Sequence, residues 1–83
     1  MTDSVEIQLR EQATIKLTKA ELIVLHEAIG KLGGSEFFEQ TLRDAEKRAV
    51  WNLECECERL NEMAFSPDYE KILIQASALL LEA

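Results

Sequence analysis

Between Gly34 and Pro67 the chain contains neither glycine nor proline. Such a run lacks the two residues that most readily break a helix, and its apolar positions are helically spaced: Phe38, Leu42, Ala45, Ala49, Leu53, Cys57, Leu60 and Ala64 follow one another in steps of four and three. That spacing holds one inward stripe over about eight turns. Ser35 stands where an N-cap is needed. The run therefore predicts one long amphipathic helix over residues 36–64, against which the rest of the chain must pack.

Two further helices are predicted around it. Thr18 and Glu21 have the spacing of a capping box, with Leu17 and Leu22 placed as a hydrophobic staple. Leu22, Leu25, Ile29 and Leu32 then form a stripe that ends at Gly33-Gly34, residues suited to the left-handed conformation that often closes a helix, so the first helix spans residues 18–32. Ser66-Pro67-Asp68 both stops the long helix and starts a last one over 67–82, whose main face carries Tyr69, Ile72, Leu73, Ala76, Leu79 and Leu80 and continues to Ala83. The short connection implies that the last two helices form a long antiparallel hairpin.

The N-terminal part reads differently. Residues 1–4 are expected to be disordered, and over residues 5–17 the apolar Val5, Ile7, Leu9, Ala13, Ile15 and Leu17 all fall at odd positions, which is the period of a strand. A hairpin turning at Arg10-Glu11-Gln12 keeps every apolar residue on one face, but no Gly, Asn or Pro supports the turn; the alternative is one strand paired with the same strand of a second copy. The fold class expected is mainly α (α+β): an N-terminal β-strand or hairpin followed by three helices, in a single small domain spanning residues 1–83.

Composition narrows the function classes. At 83 residues the chain buries roughly 60% of its unfolded surface, which leaves a small core, and its net charge of −7 repels a phosphate backbone. Direct nucleic-acid binding is not expected, whereas a basic protein partner is compatible with the charge. No signal peptide and no apolar run long enough for a bilayer is recognisable, and the two cysteines stand too close for a disulfide framework. A cytoplasmic protein with reduced thiols is expected, and no membrane association.

The stretch Trp51-Asn52-Leu53-Glu54-Cys55-Glu56-Cys57-Glu58 brings two thiols and three carboxylates together in sequence. On a helix, however, Cys55 and Cys57 point about 200° apart, so they cannot share one ion within the segment. Cys57 falls on the inner stripe and Cys55 one turn after Trp51 on the other side. No metal, cofactor or catalytic group is expected. Glu54, Glu58 and Glu62 repeat every four residues as an acidic ridge, a solvated face or a dock for Lys and Arg. Glu56 is expected at the edge of the packed face, reaching water. His26, flanking the first helix's stripe, has no Ser, Cys or Asp placed near it by local spacing and is expected to be structural.

The run Leu17–Ile29 resembles the opening helix of helix-turn-helix domains. The resemblance stops at the next helix, which begins Ser-Glu-Phe-Phe-Glu-Gln where a recognition helix would present basic and amide groups. Apolar residues in outward positions carry more information. Trp51 projects about 180° from the Leu42, Leu53 and Leu60 seam, with Phe37 and Cys55 on its side, while Ile74 and Leu81 point away from the main face of the last helix. Trp51, Cys55, Phe37, Ile74 and Leu81 are accordingly expected to form interface. The function expected is a small acidic protein-interaction module without catalytic activity, homo-oligomeric with a dimer favoured; the alternative is an acidic, antitoxin-like inhibitor that occupies a basic, nucleic-acid-binding partner.

Overall fold

The computed structural model describes residues 3–82 and contains, among them, five helices and no strand: α1 (Ser4–Leu9), α2 (Lys19–Gly33), α3 (Glu36–Thr41), α4 (Asp44–Leu60) and α5 (Tyr69–Leu81). The expected N-terminal β element is therefore absent. Asp3 caps α1 by accepting from the Val5 N–H at 3.1 Å, Glu6 pairs with Arg10 one turn on at 3.0 Å, and residues 12–18 follow without regular structure. Two physical facts override the period-two pattern. A six-residue helix with an Asp3 cap closes some of its backbone hydrogen bonds within the segment, whereas a strand closes none without a partner; and the Arg10-Glu11-Gln12 turn has no residue that favours a hairpin. Ser4, expected to be disordered, is helical; residues 1 and 2, and Ala83 at the far end of the last helix's predicted face, lie outside the described residues.

Helix α2 begins as the sequence predicts. The Thr18 hydroxyl accepts from the Glu21 N–H at 3.1 Å and the Glu21 carboxylate accepts from the Thr18 N–H at 2.9 Å. These contacts, the backbone one first, hold the Glu21 carboxyl below its usual range. The end of α2 departs from expectation: Gly34 has φ −95° and ψ 4°, and no described glycine has a positive φ. Ser35 makes the joint instead. Its hydroxyl donates to the Leu32 carbonyl at 2.7 Å and accepts from the Phe38 N–H at 3.2 Å, closing α2 and opening α3 with one side chain.

The long helix predicted over 36–64 is broken at Leu42 and Arg43, both in extended conformation. The Glu46 carboxylate accepts from the Arg43 N–H at 2.7 Å, and Asp44 and Glu46 place negative charge in the first turn of α4, where the helix dipole favours it. The break resets the helical phase. Carried across it, the predicted stripe puts Leu53 and Leu60 inside, yet both are exposed, and the better-covered positions of α4 are Lys47, Val50, Glu54, Cys57 and Asn61. Lys47 reaches back to Glu39 at 3.2 Å and ties α3 to α4 across the break.

Helix α2 is the centre of the fold, since α3, α4 and α5 each pack on it while α4 and α5 make no comparable contact with each other. The predicted α4–α5 hairpin is thus replaced by two helices sharing one neighbour. His26 meets Asn61 near one end of the α2–α4 contact, and a Cβ placed on Gly33 would lie 3.8 Å from the Glu54 carboxylate near the other, so α4 runs antiparallel to α2. The apolar core is small: Ile23 and Ile29 from α2, Phe38 from α3, Cys57 from α4 and Ala76 from α5. A core of this size leaves many apolar side chains uncovered.

Candidate interaction surfaces

The residues expected to form interface all lie at the surface. On α4, Trp51 is 55% exposed and Cys55 stands on the same flank one turn later. The Arg48 guanidinium lies 5.5 Å from the centre of the Trp51 ring, and Asp44, Lys47, Arg48 and Trp51 line an open depression there. Phe37 is exposed on α3. On α5, Ile74 is 68% and Leu81 84% exposed. The structure keeps Trp51 with Cys55, and Ile74 with Leu81, but these two pairs stand on helices that each pack chiefly on α2. Sequence periodicity missed other exposed apolar residues, Leu53 and Leu60 on the far flank of α4 and Phe65 in the turn beyond it.

The acidic ridge is interrupted. Glu54 is half-buried beside Gly33, Glu58 is exposed, and Glu62 lies past the end of α4 in the turn, so the four-residue repeat no longer lines one strip. Glu56 reaches water as expected and accepts from Arg59 at 2.6 Å, but it stands on the exposed side of α4 and not at the edge of the packed face.

Neither thiol is placed for paired chemistry. Cys57 is 2% exposed, and burial first, then the charges of Glu54 and Glu56, pushes its thiol up. Cys55 is exposed, and among the described residues no group of His, Cys, Asp or Glu is arranged to hold a metal.

The polar pairs that join the helices involve His26 and its neighbour Glu27. The amide nitrogen of Asn61 lies 3.1 Å from His26 Nδ1, and the Tyr69 hydroxyl donates to Glu27 at 3.0 Å. Burial first, then the bond to Glu27 and the charges of Glu27 and Glu70, pushes the Tyr69 phenol up. These contacts bridge α2 to the end of α4 and to the start of α5, and beside them His26, Glu27, Gly30, Lys31 and Tyr69 line an open groove. Asn61 was hidden from sequence reasoning because the residues from 36 to 64 read as one helix, which put it inside a regular element; an asparagine between Leu60 and Glu62 was the available sign of a helix end.

Among the described residues no helix is long and apolar enough to cross a membrane. Comparison with protein-family models, curated proteins and solved structures gives no match.

Proposed function

We propose that this chain is a non-catalytic protein-interaction module that works as a homo-oligomer, with a dimer favoured. The observation that supports this most is the surface it exposes. A folded monomer of 9.4 kDa is expected to expose about 5,000 Å², and this chain exposes 7223 Å². Its radius of gyration, 15.8 Å, likewise exceeds the roughly 12 Å of a compact chain of this length. Large apolar side chains are among the residues exposed: Val5, Ile7, Leu9 and Ile15 in the N-terminal arm, Trp51 on α4, and Ile74 and Leu81 on α5. Apolar surface on this scale in a polar frame favours a partner.

Sedimentation equilibrium over the micromolar range, at low and high salt, tests the reading. Self-association that persists at high salt is expected, because apolar contact is not screened, and Trp51→Glu measures how much of it passes through α4. A chain that stays monomeric at high micromolar concentration overturns it. The net charge of −7 supports a second reading, an acidic inhibitor of a basic protein, whose complex would dissociate as salt is raised.

A further inference from the structure

Helix α5 is apolar on two opposite sides. Tyr69, Ile72, Leu73 and Ala76 are its covered residues, on the side that packs against α2, while Ile74, Ala78 and Leu81 are exposed and recur at i, i+4 and i+7 on the far side. An apolar strip on the side of a helix away from its neighbour is ordinarily covered by something else. The outer strip also has an internal symmetry. Its midpoint falls between Ser77 and Ala78, so reversing the helix direction about that point exchanges Ile74 with Leu81 and leaves the small Ala78 beside the centre. One edge of the strip carries Lys71 and Glu82. Antiparallel helices bring like edges together, which sets Lys71 of one copy beside Glu82 of the other, offset by two residues or roughly 3 Å along the axis. Lys71 is exposed, and no ion pair is formed by it among the described residues.

We propose that α5 is the two-fold seam of a homodimer: two copies of α5 pack antiparallel, Ile74 against Leu81 of the partner subunit, Ala78 beside the axis, and Lys71 against Glu82 of the partner subunit. The proposal rests on the self-association reading above and names its occupant, a second copy. Three features support that choice over another protein. The strip is complementary to itself. Its charged edge pairs opposite signs when turned on itself, which matters for two chains that each carry a net −7. And the strip runs almost the whole length of α5, from Lys71 to Glu82, so two antiparallel copies can meet along about 16 Å. Ala78 beside the axis lets the two helix backbones approach closely enough for Ile74 and Leu81 to interlock.

A charge exchange tests the seam. Lys71→Glu and Glu82→Lys, each alone, set like charges against each other twice per dimer and are expected to weaken dimerisation at least about fivefold by sedimentation equilibrium. The double variant Lys71→Glu with Glu82→Lys is expected to return the dissociation constant close to that of the wild type. The two positions are eleven residues apart, about 16 Å along one helix, so such rescue cannot arise within a single chain. In a Cys55→Ser background, Ala78→Cys is expected to give a covalent dimer on mild oxidation. A dimer whose dissociation constant ignores all three charge variants and that does not cross-link through Ala78→Cys overturns the seam while leaving self-association through another surface intact. A wild-type chain that remains monomeric overturns the seam and the reading beneath it together.

Discussion

His26 Nδ1 and the side-chain amide nitrogen of Asn61 lie 3.1 Å apart, joining the centre of α2 to the residue that ends α4. The orientation of the amide is set from its other side, because Asn61 Oδ1 accepts from the Met63 N–H at 3.3 Å. The amide nitrogen then faces the ring and can donate to His26 Nδ1, an arrangement that requires the tautomer with its proton on Nε2. One buried side chain, 4% exposed, thus orders both the turn after α4 and the histidine of α2.

Asn61→Ala removes both contacts and is expected to destabilise the fold by about 1–3 kcal/mol, since the Met63 N–H and His26 Nδ1 lose their partners in a partly buried place. Urea denaturation measures it. A midpoint equal to that of the wild type would show that water replaces Asn61 without cost.

Tyr69 is the only tyrosine in the chain, so the ultraviolet absorbance of phenolate reports on it alone. Its phenol is pushed up by burial first, then by the bond to Glu27 and by nearby negative charge. A group whose pKa is raised by folding contributes stability that is fully present below its unfolded value, about 10 for tyrosine, and is lost as pH rises through the folded value. The native chain is expected to titrate above free tyrosine, and Glu27→Gln to bring the midpoint down towards it. A native midpoint at or below that of free tyrosine contradicts the contact.

The two cysteines should separate by reactivity. Cys55 is exposed, whereas Cys57 is buried and its thiol is pushed up, first by burial and then by Glu54 and Glu56. Intact-mass measurement after brief alkylation is expected to show a single adduct on Cys55 in the native chain and a second, on Cys57, only in denaturant. Equal labelling of both thiols under native conditions would place Cys57 at the surface.

Thr18→Ala is expected to cost about 1 kcal/mol, because it leaves the Glu21 N–H without its side-chain acceptor while the core is untouched. Thermal denaturation followed by circular dichroism checks the loss; an unshifted transition would mean that water serves the helix end equally well.

How much of this was legible in the sequence depends on the range of the interaction concerned. The Thr18–Glu21 box, the Ser35 cap and the outward positions of Trp51, Ile74 and Leu81 could be read from residues three or four apart, because hydrogen bonds and helical rotation act over that distance. The break at Leu42–Arg43 was written in Asp44 and Glu46 but was outweighed by a run without Gly or Pro, and that error put Leu53 and Leu60 on the predicted inner face of α4 beside Cys57 and left Val50 off it. What only the tertiary structure decided was pairing. Whether α5 lies on α2 or α4, whether residues 5–17 find a strand partner, and that Asn61 reaches His26 are all settled by which apolar surfaces meet across long stretches of chain. A periodic pattern marks a face to be buried, and it carries no label for the surface that buries it.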